Sequence, residues 1–151
     1  MSLTLDTLGD HLGQELGVSP WRAVEQPALD AFADVTGDHQ WIHTDPARAR
    51  SGPYGGTIAH GLLTLSLLPA MRTEAGLAVR DAARVVNYGY DRVRFLAPVR
   101  AGARLRVRVV LTAVESKAGG VLATTRNTVE IEGEDRPALV ADALTLYLPE
   151  A

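Results

Sequence analysis

From Ile58 to Met71 the chain reads IAHGLLTLSLLPAM, with His60 as its only ionisable side chain. A helix built from such a stretch is apolar nearly all round and has to be buried on most of its surface. Something large must cover it. The second half of the chain offers the cover, because Val85–Tyr90, Arg92–Leu96, Arg104–Val114, Leu122–Glu132 and Leu139–Leu148 are rich in Val, Thr, Leu and Tyr. Pro98, Gly102, Gly119-Gly120 and Gly133 punctuate these runs. Arg104-Leu105-Arg106-Val107-Arg108-Val109 alternates cleanly, so one face is wet and the other packs inward. Long strands with short links make an antiparallel sheet. The expectation is an α+β fold in which that sheet wraps around one long central helix. Pro69 should kink or shorten the helix's last turn.

The first half reads as helices. Leu5, Leu8, Leu12 and Leu16 recur at helical spacing and predict a helix over 3–16 that stops at Gly17. Trp21–Glu25 is short and extended. Pro27 suits the first turn of a helix whose apolar side is Leu29, Phe32 and Ala33, with Gly37 as a left-handed cap. Asp45-Pro46 reads as the cap and first turn of a short helix through Arg50, and Ser51–Thr57 as a glycine-rich loop. With 151 residues, no repeat and no linker, residues 1–151 are expected to form a single domain.

Several functions drop out on composition. A net charge of −3 gives no basic face for nucleic acid. Without cysteine there is no disulfide, thiolate nucleophile or cysteine metal cluster. The uncharged run from Ser51 to Met71 is broken by Gly, Pro and His60, which argues against a membrane span. The first residues carry acids and no basic region ahead of an apolar one, so no signal peptide is expected and the place of action is taken as cytoplasmic.

The chemistry concentrates between Thr36 and Gly61. Thr36-Gly37-Asp38-His39-Gln40-Trp41-Ile42-His43-Thr44-Asp45-Pro46 packs two histidines among three acids and amides in eleven residues. A tight loop after Gly37 can bring Asp38 and His43 onto one small molecule, and a carboxylate and an imidazole around one water suit general acid–base work. On spacing alone a plainer account is as good: Asp38 caps a turn, His43 is a satisfied loop histidine and Asp45 caps the next helix. His39 and His43 at i, i+4 would share a metal only on a helix, which Gly37 opposes, so no metal is expected. Arg104, Arg106 and Arg108 can steer phosphates, but a strand's wet face accounts for them equally.

Phe32-Ala33-Asp34-Val35-Thr36-Gly37-Asp38 through His43-Thr44-Asp45-Pro46-Ala47-Arg48-Ala49 resembles the hydratase 2 signature of MaoC-like dehydratases. Ile58-Ala59-His60-Gly61-Leu62-Leu63 is similar to that family's entry into its central helix, and Asn87-Tyr88-Gly89 and Val93–Val99 to its next strands. The likeness spans the chain from about residue 20, and within the family it is nearest to the nodulation-protein-N-like branch. It implies the hot-dog fold and hydration of trans-2-enoyl thioesters to (R)-3-hydroxyacyl thioesters. It implies Asp38 and His43 as the water-activating pair and the Gly61 backbone N–H as the thioester carbonyl's partner. Gln40 stands where many members have Asn and keeps a positioning role, with Trp41 in place of Pro changing the loop's rigidity. Where some members carry a supporting serine this chain has Pro69, and Ser66 one turn earlier substitutes only if its face is right.

His60 is read as a packed helix-start histidine within reach of the substrate, and Asn87 as a residue of the acyl pocket or simply of the strand. The resemblance further implies no cofactor beyond the CoA or acyl carrier protein on the substrate, and a homodimer, as hot-dog relatives pair with the tunnel near the interface. Two rivals share the fold: a thioesterase and a non-catalytic acyl-binding subunit. The Gly-Asp-x4-His arrangement with His60-Gly61 favours hydration over both.

Overall fold

The computed structural model describes residues 3–151. Strands β1 (Glu15–Val18) and β2 (Arg22–Val24) precede three helices, α1 (Gln26–Thr36), α2 (Trp41–Thr44) and α3 (Pro46–Arg50). Helices α4 (Gly61–Ser66) and α5 (Leu68–Glu74) follow, then strands β3 (Arg84–Phe95), β4 (Ala103–Lys117), β5 (Gly120–Ile131) and β6 (Leu139–Leu148). The sheet is antiparallel in the order β1-β4-β5-β6-β3, with β2 also on β4. It covers α4 and α5, so the expected arrangement of a sheet around a helical run is present.

The inward faces are apolar by alternation. Leu105, Val107, Val109 and Leu111 of β4 are fully buried and meet Leu63, Leu68 and Met71 of the helical run in one core. Outward, the arginines pair across strands: Arg104 with Glu132, Arg106 and Arg108 with Glu130, and Arg108 also with Glu15. The phosphate-steering account of Arg104, Arg106 and Arg108 gives way to the wet face, since every guanidinium already has a carboxylate. No helix among the described residues is long and apolar enough to cross a membrane.

Several expectations change. The helix over 3–16 is a 3-10 turn at Leu8–His11 followed by β1. Gly13, at φ +78°, reverses the chain there, so Leu8 and Leu16 reach the core from different elements while Leu12 stays half exposed. Tertiary pairing with β4 overrides a leucine spacing that suited a helix. Gly17 does not stop a helix; it lets β1 pass against the Ala75 carbonyl, which a Cβ would strike.

The central helix starts at Gly61 rather than Ile58, which instead bridges to Arg100. It ends at Ser66, and a turn at Leu67 (φ −78°, ψ −17°) separates it from α5, which begins at Leu68. Pro69 therefore sits in the first turn of α5, where its missing N–H costs nothing, and does not shorten a last turn. Burial on most of the helix surface also fails. Leu62 is 60% exposed, and Ser66, Pro69 and Ala70 face outward, so this chain covers one side of the run only. Finally, the two strands read as Val85–Tyr90 and Arg92–Leu96 are one strand. A bulge at Arg92, which takes φ +51°, shifts the register between Asp91 and Arg94, and Asp142 holds its guanidinium.

Candidate active site

Helix α1 ends at Gly37, whose φ of +81° turns the chain out of the helix while its N–H still bonds the Ala33 carbonyl (2.8 Å). Asp38 follows directly. Its Oδ1 accepts from the Gln40 N–H (3.3 Å), which starts the single turn of α2. That turn carries His43 inward, where only 7% of it remains exposed. Trp41 ties α2 to α3: the Arg48 guanidinium lies 4.2 Å over its ring, and the ring also packs on Gly52. Asp45 caps α3 by accepting from the Arg48 N–H (3.0 Å), as the spacing suggested.

The histidines are held by backbone carbonyls. His43 Nδ1 lies 2.6 Å from the Ile58 carbonyl, and a carbonyl only accepts. The bond assigns the proton to Nδ1 and leaves the Nε2 lone pair free. His60 Nε2 lies 3.0 Å from the Asp38 carbonyl, so its proton sits on Nε2, and its buried Nδ1 has no partner among the described residues. The two rings stack with centroids 3.8 Å apart and planes at 23°, and Phe32 closes the stack on His60 at 4.9 Å.

One polar atom of each of Asp38, His43 and His60 falls within 4.8 Å of the others. Such a trio can hold an ion. Yet stacked rings aim their in-plane lone pairs side by side, whereas a metal needs them to converge on one point. A water between an exposed carboxylate and a buried imidazole fits the arrangement better.

The expected residues therefore divide. Asp38 and His43 come together, and His60 joins them as part of the cluster rather than as a bystander at the helix start. Gln40 contributes through its backbone; its side chain is exposed. Gly61 is the first residue of α4, where helix geometry leaves its N–H without an intrahelical acceptor. The space a Cβ would take there belongs to the Phe95 ring, 2.9 Å away, so the glycine answers to packing as well as to ligand approach. Beside it opens a cleft of 260 Å³ lined in part by Tyr54, Thr64, Phe95 and Pro98, and Tyr54 brings the glycine-rich loop to its mouth.

Asn87 is not in this cluster. It lines a separate cavity beside α5. Ser66 does not replace the missing serine, because it is exposed and its hydroxyl donates back to the Leu62 carbonyl (2.7 Å). His39 lies outside, 55% exposed near Asp34. One positioning residue escaped the sequence reading. Gln26 donates to the His43 carbonyl (2.8 Å) and accepts from the Thr57 hydroxyl (2.5 Å), clamping α2 to the segment entering α4. Nothing in the local sequence marks it, since both partners are distant in the chain.

The MaoC like domain profile matches residues 8–132 of the chain, a stretch that includes every member of this cluster. The chain belongs to the MaoC-like dehydratase family. This MaoC-like chain is 49% identical over 146 residues to a nodulation protein N of Rhizobium leguminosarum bv. viciae, covering 95% of the chain and 91% of that protein. It is 46% identical over 137 residues to a 3-hydroxyacyl-thioester dehydratase Z of Mycobacterium tuberculosis, covering 90% of each. Among solved structures, an unliganded (R)-hydratase of Pseudomonas aeruginosa superposes with a TM-score of 0.75 at 23% identity, over 92% of this chain and 83% of that one. The (R)-hydratase of A. caviae does so at 0.73 and 23%, over 91% and 96%. At such identities these structures speak for the fold, and the hot-dog architecture expected from the resemblance is the one observed.

Proposed function

We propose that this MaoC-like protein is a hydro-lyase that adds water reversibly to trans-2-enoyl thioesters, giving (R)-3-hydroxyacyl thioesters. The observation that carries this reading is the tautomer of His43 within the cluster: with Nδ1–H committed to Ile58, Nε2 is the nitrogen left to act, and a ring nitrogen of His43 falls within 4.8 Å of an Asp38 carboxylate oxygen. Nε2 and the carboxylate together orient a water and take its proton as oxygen attacks the β-carbon. The proton then delivered to the α-carbon comes from the same pair. His60, stacked on His43 and bonded to the Asp38 carbonyl, keeps the two in register.

As water adds, negative charge grows on the thioester oxygen. The Gly61 N–H, at the positive end of α4 and adjacent to His60, is the donor placed to meet it. Gln40 serves the loop, and the cleft beside Gly61 admits the thioester arm, whose CoA or acyl carrier protein is the only cofactor-like group the reaction needs. No resident metal takes part in this reading, which also keeps the cytoplasm as the place of action. The edge strand β3, exposed on both faces, supports a homodimer.

A panel of crotonyl-CoA and longer enoyl-CoAs tests the reaction. The expected result is loss of enoyl absorbance without release of free thiol. Thiol release with the double bond intact would establish the thioesterase instead, and neither signal would leave an acyl-binding subunit.

A further inference from the structure

A base at His43 Nε2 requires the ring proton to stay on Nδ1, and the Ile58 carbonyl that keeps it there belongs to another segment of the chain. The Ile58 N–H bonds the Ile42 carbonyl (2.9 Å), which joins the two segments at one point, like a hinge. The second point is Gln26, the first residue of α1. Its Nε2 donates to the His43 carbonyl (2.8 Å) and to Asp30 Oδ1 (2.9 Å), and its Oε1 accepts from the Thr57 hydroxyl (2.5 Å). Two acceptors at Nε2 leave the amide one orientation, since a flip would set its oxygen against two oxygens.

These contacts close on themselves. Gln26 holds the His43 carbonyl, the His43 ring holds the Ile58 carbonyl, and Thr57, next to Ile58 in the chain, returns to Gln26. Thr57 and His43 are both buried, so little water competes for the bonds. Helix α2 is a single turn of four residues, too short to be stable by itself, and its last carbonyls have no partner within the helix. The His43 carbonyl is one of these, and a side chain from α1 answers it. The side-chain bonds of Gln26 go to Asp30, His43 and Thr57, so its route to the chemistry runs through His43.

We infer that this circuit sets the His43 tautomer: Gln26 and Thr57 hold the ring and the Ile58 carbonyl at hydrogen-bond distance, and so keep Nε2 free of a proton. With the circuit open, the Ile58 carbonyl draws away from Nδ1 and the proton moves, by way of solvent, to Nε2. The base is lost in that fraction of the molecules. Gln26 and Thr57 are therefore positioning residues, felt in kcat and not in substrate affinity. The inference rests on the hydro-lyase reading for its kinetic test, while the tautomer itself is read without turnover.

Nitrogen-15 NMR of histidine-labelled protein reads the tautomer, with the His43 signals assigned by their absence from His43→Gln. Wild type should show Nδ1 protonated and Nε2 bare. Gln26→Met keeps length without donor or acceptor, and Thr57→Val keeps shape without the hydroxyl. Each should show a mixture of tautomers, and Thr57→Ser, which restores the hydroxyl, should restore the single one. With crotonyl-CoA, Gln26→Met and Thr57→Val should each lower kcat by about tenfold, the upper end for one neutral hydrogen bond, with KM within about twofold. Thr57→Ser should recover most of that loss. The double variant should be no slower than the slower single, because a circuit opened once is already open.

Should Gln26→Met fail to fold, as thermal melts would show, Thr57→Val and Thr57→Ser decide alone. A single Nδ1–H tautomer in the folded variants would overturn the inference, whatever happens to the rate. So would wild-type kcat in a variant whose tautomer has shifted, losses confined to KM, or losses that multiply in the double variant. Variants that shift the tautomer in a protein that turns over no enoyl-CoA would leave the circuit standing and sink the hydro-lyase reading instead.

Discussion

Asp38 and His43 differ in burial, and the difference assigns their work. His43 sits in the core wall with one nitrogen fixed by a carbonyl, so its geometry is set before substrate arrives. Asp38 is exposed, and its carboxylate is held by the Gln40 N–H at Oδ1. Asp38→Asn keeps size and the hydrogen bond from Gln40 but loses the proton acceptor. His43→Gln keeps a donor toward Ile58 but has no basic nitrogen. Each should lower the hydration rate of crotonyl-CoA by at least about 10², with thermal melts showing a folded protein. Near-wild-type turnover by either folded variant would remove that residue from the mechanism. The pair was readable from the spacing after Gly37 joined to the family resemblance. The share of His60 was not, because its anchor is the backbone carbonyl of Asp38, twenty-two residues earlier, and no side-chain pattern records a backbone acceptor.

Strands β4 and β5 show how much of an element can be read and what must wait for register. The alternation from Arg104 to Val109 told which side chains face inward, since a strand's period is two. It could not tell that Arg106 stands opposite Glu130, because pairing partners are set by how two strands align. The leucines of residues 3–16 failed for a related reason: their spacing fits a helix, but Gly13 and the free side of β4 offered a better burial. The register has a measurable consequence at Glu130. Burial alone would raise its carboxyl, yet the hydrogen bonds and charges of Arg106 and Arg108 hold it below the usual range. A carboxyl lowered in the folded state adds stability above its unfolded value, about 4.3, and that stability drains away as pH falls through the lower folded value. These groups are a quarter to two-fifths exposed, so solvent screens them and the contribution is about 1 kcal/mol or less. Glu130→Gln should therefore unfold at lower urea than wild type near neutral pH, with the gap closing as pH drops below about 4. A gap of constant size at low pH would mean the loss comes from packing and not from charge.

At the scale of the whole molecule the unbalanced feature is the β3 edge. Four of the five strands in the main order have apolar residues turned inward and covered, whereas β3 leaves Val85, Val86, Tyr88 and Phe95 between 42% and 62% exposed. Leu62 on α4, also exposed, adds to the apolar surface that this chain leaves uncovered. An edge strand offers unpaired N–H and C=O groups along its length, and apolar side chains beside them make association favourable at about 25 cal/mol for each Å² removed from water. Two copies related by a two-fold axis can bring β3 against β3 antiparallel, extending one sheet into the other with the same contact repeated on each side. Phe95 packs against Gly61, so such a contact would lie close to the cleft beside Gly61. Light scattering at micromolar concentration should give twice the chain mass. Val86→Lys, which sets a charge in the middle of the contact, should shift the protein toward the monomer and lower turnover in the same concentration range. A wild-type monomer with full activity would refute the pairing, and so would a Val86→Lys protein that stays dimeric, since that contact would then have to lie elsewhere.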